Sequence, residues 1–252
     1  MTHGLKYWLC LFTASMVLSA VAASGERTSA AEFLQRARNP KSASTYGRFR
    51  GTLQHRRRGQ DPREMAIYFG IVIKPRETIG RILVDSRESY LIRQAREAGR
   101  DGTSVVRDPQ NAEILDWVGM RVSDLTMSFL YYKLVKELDE TTLSTVVSCR
   151  VLLLESPDDT PGGKEYVKVY LEKEHAFPLK AEFFRSPEDK KPFRLVETNG
   201  FTQKNDLYYA RTILVEGPGW RTKVEFNPDL VELGMFDNTT PQQPILFPGI
   251  GR

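Results

Sequence analysis

The second half of the sequence is a succession of short strand-like segments separated by turn residues. Turn-forming pairs such as Pro157-Asp158, Asn199-Gly200 and Pro218-Gly219 stand between segments that alternate apolar with polar residues. Alternation of this kind buries one face of each strand and leaves the other in water, so it predicts an antiparallel meander packed on one side. The six segments lie at positions 148–155, 165–173, 179–185, 193–198, 208–215 and 221–226.

The first half contains two further strand pairs, at 46–54 with 65–74 and at 77–84 with 89–94. Both faces of the strand at 65–74 are apolar, and such a strand is expected to lie under a cover. Positions 98–108 are rich in glycine and charge and are predicted to form a loop. The apolar residues of the strand at 65–74 are Ile67, Phe69, Ile71 and Ile73 on one face and Ala66, Tyr68, Gly70 and Val72 on the other.

A helix is predicted at residues 29–38. Ser29 and Glu32 have the spacing of a capping box, in which each side chain accepts a hydrogen bond from the backbone N–H of the other residue. Apolar residues then recur at helical spacing, and Asn39-Pro40 is predicted to end the helix.

Two short helices are predicted in the middle of the chain. Positions 111–118 carry apolar residues at helical spacing, and Ser123-Asp124 is predicted to cap a second helix that carries Leu125 and Phe129. The stretch from 134 to 147 fits either a continuation of that helix or a strand.

These elements predict a mostly β (α+β) protein. An antiparallel sheet of about ten strands must curl or close, and the few short helices suffice to cover only its inner face. We therefore expect a curved antiparallel half-barrel with an apolar space under a lid of short helices. Periodicity leaves open whether that space is a packed core or a ligand cavity.

The first 23 residues have the pattern of a cleavable signal peptide. Lys6 precedes an apolar run at 7–21, and the small residues at 20–23 provide an A-x-A cleavage site. The apolar run is short for a membrane-spanning helix, which needs about 20 residues. Export with cleavage near Ala22 or Ala23 is therefore expected, a retained N-terminal anchor being the alternative.

Composition argues against a nucleic-acid partner and against enzymatic chemistry. The formal net charge of +4 is too small to imply a polyanion, and Cys149, flanked by apolar residues, is typical of a core position. The sequence contains no H-E-x-x-H, G-x-S-x-G or phosphate-binding loop. Neither catalysis nor a cofactor is expected. Four carboxylates near one turn could bind a cation, although solvated side chains are the favoured interpretation: Glu155, Asp158, Asp159 and Glu165.

Several motifs follow one another in a recognisable order. They are Tyr46–Gly51 after the first helix, Ser123-Asp124-Leu125 with Phe129-Leu130, the run 165–184 with Phe177-Pro178-Leu179-Lys180 at its centre, and the closing run 221–237. Together they resemble the LolA-like outer-membrane lipoprotein-sorting proteins, over nearly all of residues 24–237.

The resemblance implies a half-barrel at 24–237 that receives acyl chains of lipoproteins or lipids in an apolar cavity. It also implies a periplasmic location and protein partners at the inner or outer membrane. The candidate cavity residues are Phe69, Ile71 and Ile73 from the sheet and Trp117, Met120, Leu125 and Phe129 from the lid. For each of them, a place in an ordinary core is the alternative.

Two features depart from that family. The first hairpin carries Arg56-Arg57-Arg58, and the Pro- and Gln-rich tail at 238–252 is expected to lie on the surface or to stay loose. In the alternative function, a periplasmic sensor or interaction module that binds a membrane-anchored partner without transport, these two features are the contact surfaces. A monomer is expected in both cases.

Overall fold

The computed structural model describes residues 28–38, 44–86, 88–95, 102–107, 114–144, 146–160, 162–237 and 239–248. The predicted signal peptide and the predicted helix end at Asn39-Pro40 lie outside these described residues.

Thirteen strands of the described residues form one antiparallel sheet. Its order is β5-β4-β3-β2-β1-β12-β11-β10-β9-β8-β7-β6, and β13 also pairs with β1. The end strands β5 and β6 are not paired with each other in the described residues, so the sheet is an open half-barrel. The strands are β1 (Thr45–Arg57), β2 (Arg63–Ile73), β3 (Glu77–Val84), β4 (Glu88–Ala95), β5 (Gly102–Arg107), β6 (Lys133–Leu143), β7 (Val147–Glu155), β8 (Tyr166–Glu172), β9 (Pro178–Phe184), β10 (Arg194–Lys204), β11 (Leu207–Gly217), β12 (Trp220–Phe226) and β13 (Glu232–Met235).

The predicted mostly-β half-barrel is confirmed, with more strands than expected. The predicted loop at 98–108 is wrong in part, because 102–107 form the edge strand β5 on β4. The ambiguous stretch after position 134 is strand β6.

The predicted turn at Asn199-Gly200 is wrong. Gly200 lies inside β10 between Asn199, which pairs with Thr212, and Phe201, which pairs with Ala210. The chain turns instead at Asn205 and Asp206, whose φ angles of 50° and 59° suit a two-residue hairpin turn. Asn and Asp adopt this left-handed conformation more readily than most residues.

Short helices cover the inner face of the sheet. Helix α1 (Ala30–Arg38) begins with the predicted capping box, since Ser29 N–H donates to Glu32 Oε2 at 3.0 Å. The lid consists of α2 (Ile114–Trp117), α3 (Val122–Thr126) and a 3₁₀ turn (Ser128–Tyr131). Within the described ranges, no helix combines the length and apolar content needed to cross a membrane.

The second helix begins earlier than predicted, and its N-cap lies two residues before Ser123. Helix α3 begins at Val122 with Arg121 as its N-cap, so Ser123 and Asp124 lie inside it. Asp124 occupies the third helical position and accepts a hydrogen bond from Arg121 N–H at 2.6 Å. It therefore caps the helix from within, as the acidic member of a capping box does.

The C-terminal tail covers the outer face of β2. Helix α4 (Gln243–Leu246) places Ile245 and Leu246 in an apolar cluster with Val72, and the Tyr68 hydroxyl donates to the Ile245 carbonyl. The backbone approaches so closely that a Cβ on Gly70 would lie 2.1 Å from that carbonyl oxygen. Strand β2 is thus apolar on both faces because the core lies on one and the tail on the other.

Gly70→Ala is expected to displace helix α4, since its methyl group and the Ile245 carbonyl oxygen cannot occupy the same space. Overpacking of this kind costs about 1–3 kcal/mol of unfolding free energy. Urea denaturation measures that loss, and limited proteolysis with mass spectrometry measures the exposure of the tail. Gly80→Ala is the control, because its Cβ would meet no atom closer than 3.4 Å. Equal protease resistance of the tail in both variants would contradict this prediction.

Candidate functional site

The lid is fixed to the sheet by a buried ion pair between Asp124 and Arg194. Both side chains are almost completely buried, and Arg194 Nη2 donates to Asp124 Oδ2. Arg194 Nη1 also donates to the Gly119 carbonyl oxygen at 2.6 Å. Complete burial raises the pKa of the Asp124 carboxyl, while the attraction of Arg194 and Arg121 acts in the opposite direction. The start of strand β10 thereby holds both lid helices.

A second ion pair lies beside the first. Both terminal nitrogens of Arg121 donate to the fully buried Glu165 carboxylate, at 2.8 and 2.9 Å. Arg185 approaches the same carboxylate at 3.5 Å. A two-point contact between a guanidinium and a carboxylate fixes orientation as well as distance. We call the set Arg121, Asp124, Glu165 and Arg194 the lid anchor.

Trp220 and a histidine complete this end of the lid. The Trp220 ring packs so closely on Gly119 that a Cβ there would lie 2.7 Å from it. Buried Thr222 donates to the Val118 carbonyl oxygen at 2.5 Å, and His55 Nδ1 lies 2.8 Å from the same hydroxyl. Because the hydroxyl hydrogen is used on Val118, neutral His55 donates from Nδ1.

A cavity of about 520 Å³ lies at the opposite end of the lid. Strand β10 begins at Arg194 in the lid anchor, and the turn that follows it, at Asp206, lines the cavity. The remaining wall comes from the sheet, the lid, α1 and the β8–β9 turn. The lining residues are Arg36, Ala37, Arg38, Thr45, Tyr46, Gly47, Phe49, Ile71, Ile73, Thr78, Gln94, Thr126, Met127, Leu130, Tyr131, His175, Ala176, Phe177, Pro178, Asp206, Leu207, Tyr208 and Leu233.

Two of the seven candidate cavity residues, Ile71 and Ile73, line this cavity. Phe69 is buried beside it, with its ring stacked 5.9 Å from Phe49. Trp117 lies at the anchor end, where it is 39% exposed and packs 5.0 Å from the His55 ring.

The other three candidates, Met120, Leu125 and Phe129, lie in the core beneath the lid. Phe129 packs edge-on against Phe183 at 5.5 Å. Their part in ligand binding stays a prediction.

The lid faces the cavity with residues that periodicity did not select. Met127 has a left-handed backbone (φ 52°), which ends α3 and starts the 3₁₀ turn. This break turns Met127, Leu130 and Tyr131 toward the cavity and leaves Leu125 and Phe129 in the core. The apolar residues at 127–131 were the only sign of this arrangement in the sequence. A continuous helix would point their side chains in other directions, so helical periodicity did not reveal which of them face the cavity.

Helix α1 ties the lid to the cavity mouth. Arg38 is buried and donates to the carbonyl oxygens of Leu130 and Tyr132, each at 2.7 Å. Arg36 reaches across to the β8–β9 turn, where it donates to the Glu174 carbonyl oxygen at 2.7 Å. The cavity wall is open to solvent at that turn, where the His175 side chain is 52% exposed, and we call this end of the cavity, between α1 and the turn, the mouth.

Three of the four carboxylates considered as cation ligands are engaged by basic side chains. Lys164 contacts Glu155 at 2.6 Å and Asp158 at 3.0 Å, and Glu165 belongs to the lid anchor. A second group, Glu172, Glu174 and His175, lies where β8 ends, and the Glu172 carboxylate accepts hydrogen bonds from the backbone N–H groups of Glu174 and His175.

Cys149 is buried, and burial raises the pKa of its thiol. A protonated, enclosed thiol is a poor nucleophile, so this residue belongs to the core.

Breaking the Asp124–Arg194 pair is expected to destabilise the fold strongly. Asp124→Ala leaves a buried guanidinium without its partner, at a cost of about 3–5 kcal/mol of unfolding free energy. The double variant Asp124→Ala with Arg194→Met removes both charges and should cost less than the sum of the single variants, as measured by urea denaturation. The half-exposed pair Arg48–Glu232 is the control, where Glu232→Ala should cost less than about 1 kcal/mol. Additive effects at the buried pair would contradict the prediction.

Acidification is expected to weaken the lid through His55. Burial lowers the pKa of His55, and Arg57 and Arg63 lower it further. The unfolded chain therefore binds the proton more readily, and this stabilisation is complete above pH of about 6.5 and is lost as the pH falls below it. The melting temperature should fall between pH 7.5 and 5.0, and His55→Gln should fall less. A fall as large in His55→Gln as in the wild type would count against this assignment.

Comparison with known proteins bears on the fold. The chain is similar to a solved outer-membrane lipoprotein-sorting protein domain from Vibrio parahaemolyticus (TM-score 0.58, 14% identity, 84% of this chain and 94% of that chain covered). It is also similar to a DUF1329 family protein from Desulfovibrio piger (TM-score 0.56, 11% identity, 85% of this chain and 95% of that chain covered). A third similar structure is a LolA superfamily protein from Nitrosomonas europaea (TM-score 0.50, 12% identity, 85% of this chain and 96% of that chain covered).

No protein-family model matches the chain, and no curated protein matches it significantly. At identities of 11–14%, the structural likeness concerns the arrangement of the backbone. The chain therefore has the fold of the LolA-like lipoprotein-sorting proteins.

Proposed function

We propose that this protein is a periplasmic carrier that holds the acyl chains of lipoproteins or lipids. The observation that carries the proposal is the cavity of about 520 Å³ between the lid and the sheet, with a mainly apolar wall. Its volume lies within the range of about 300–1,000 Å³ of small-molecule sites. The likeness of the fold to a lipoprotein-sorting domain supports the same function.

The wall of the cavity suits a flexible hydrocarbon chain. Ile71, Ile73 and Leu233 face it from the sheet, and Met127 and Leu130 face it from the lid. Each acyl methylene that moves from water into such a wall gains about 0.8 kcal/mol. Binding on this scale needs enclosure and no reactive group, so the protein acts by sequestration.

Ligand exchange can proceed at the mouth while the lid anchor stays intact. The anchor residues lie at the start of β10, and the mouth lies beyond its end. At the mouth, Arg36 and Arg38 donate hydrogen bonds to main-chain carbonyl oxygens. Breaking and re-forming such hydrogen bonds costs less free energy than breaking a buried ion pair. Entry and release therefore use this end.

An interaction module is the second candidate, favoured by the basic tip at the anchor end. Arg56, Arg57 and Arg58 are exposed, and their hairpin lies against the β11–β12 turn, since Arg58 N–H donates to the Gly219 carbonyl oxygen at 2.9 Å. A cationic tip of this kind suits a membrane-anchored partner with an acidic surface.

Ile71→Trp is expected to fill the cavity and to weaken binding of a fluorescent fatty acid about tenfold or more, because the indole occupies the space of the acyl chain. Fluorescence titration of the purified full chain gives the affinity, and native mass spectrometry reports lipid that co-purifies. Val146→Trp is the matched control, since Val146 is 79% exposed and lies away from the cavity. It should bind like the wild type.

Absence of both co-purifying lipid and fatty-acid uptake in the wild type would refute the carrier. Crosslinking in membranes would then test the interaction module, which requires that replacing Arg56, Arg57 and Arg58 with serine abolishes capture of the partner.

A further inference from the structure

A row of four residues, three of them polar, crosses one end of the cavity wall. The strand registers place Thr45 beside Ile73, Ile73 beside Thr78, and Thr78 beside Gln94, on the four adjacent strands β1 to β4. All four residues line the cavity. We call this row the polar row.

The next row inward has no polar side chain. It consists of Gly47, Ile71, Gly80 and Ile92, paired in the same way across the same strands. Polarity on this part of the sheet is therefore confined to one row, next to an apolar surface.

Gln94 is the unusual member of the polar row. It is 3% exposed, and its Nε2 is buried without a hydrogen-bond partner. A buried amide donor left unpaired is unfavourable, and such groups in native proteins call for an explanation. Among the buried side-chain atoms without a hydrogen-bond partner in the described ranges, Gln94 Nε2 belongs to a residue that lines the cavity, whereas Arg48 Nε, His55 Nε2, Asp124 Oδ1 and Arg194 Nε do not.

The surroundings of Gln94 favour a neutral acceptor over an anion. Its direct cross-strand neighbours are Thr78 on β3, which is also buried, and Thr103 on β5. The ionisable side chains of the cavity wall other than tyrosines belong to α1 and to two turns, as Arg36, Arg38, His175 and Asp206. No cation of the wall belongs to the polar row, so a neutral carbonyl oxygen fits better there than a carboxylate or phosphate.

We propose that Gln94 Nε2 donates a hydrogen bond to the carbonyl oxygen of an acyl ester or acyl amide bound in the cavity. The proposal rests on the carrier function and adds the ligand's polar group to it. The acyl chain lies along the apolar row and the lid, and its carbonyl lies at the polar row. The carrier thereby distinguishes an acylated molecule from a plain hydrocarbon of equal length.

Three fluorescent probes of equal chain length test this proposal on the full chain: an acyl glycerol ester, an N-acyl amide and an alkyl glycerol ether. The ether lacks only the carbonyl. The wild type should bind the ester, the amide or both about tenfold more tightly than the ether, the equivalent of one hydrogen bond. Preference for the ester indicates a glycerolipid or a diacylated lipoprotein, and preference for the amide indicates an N-acylated peptide.

Gln94→Leu should remove this preference and leave the affinity for the ether unchanged. Because it deletes an unpaired buried amide, the ligand-free variant should also melt at a higher temperature than the wild type. Gln54→Leu makes the same change on β1, where Gln54 pairs with Glu64 at 3.0 Å on the exposed surface, and should keep the preference. If Gln94→Leu fails to fold, Thr78→Val replaces it and should reduce the preference.

The outcomes separate this proposal from the carrier function. Equal binding of all three probes by the wild type overturns carbonyl recognition and leaves the carrier intact. A preference that survives Gln94→Leu, or Thr78→Val in its place, overturns the role of the polar row. Failure of every probe to bind refutes the carrier and this proposal together.

Discussion

The buried ion pairs of the lid anchor are the constraint on which the lid depends. Helix α3 has five residues, and a helix of that length is not stable in isolation. Its position is set by Asp124, which accepts from the N-cap backbone and from Arg194 on β10. Three of the four anchor charges are buried and Arg121 is partly exposed; burying charges is costly unless each is paired, and here each carboxylate meets a guanidinium. The anchor therefore specifies one placement of the lid more than it adds net stability.

Fixing the lid at one end has a consequence for the other. Beyond Met127 the lid changes from α-helix to a 3₁₀ turn, and its contacts become hydrogen bonds from Arg38 to main-chain carbonyl oxygens. Side chains there meet the sheet across a gap instead of interdigitating with it, whereas Phe129 and Phe183 fill the space nearer the anchor. Packed core and cavity are thus two ends of one interface, which explains why periodicity alone did not separate them.

Much of the sheet was predictable because alternation is a local property of the chain. The paired segments at 46–54 and 65–74, and at 77–84 and 89–94, correspond to strands β1 to β4. Asn199-Gly200 misled because its turn signal is also local, while pairing of Asn199 and Phe201 with β11 holds that segment in the sheet. The break at Met127 was not predicted either, because no local sequence pattern marks the left-handed backbone that joins α3 to the 3₁₀ turn. The tail's place on β2 depends on a contact between positions 70 and 245, which no local pattern records.

In the proposed carrier, affinity and selectivity belong to different rows of the same strands. The row that contains Gly47 and Ile71 offers the cavity only apolar surface, which would stabilise any bound hydrocarbon in proportion to the area it buries. One row away, Thr78 and Gln94 offer directional donors in a place that water reaches poorly, where an unmatched donor is penalised. A hydrogen bond discriminates mainly through the cost of leaving it unmade, so a single amide at the end of an apolar wall can select among chains that the wall itself treats alike.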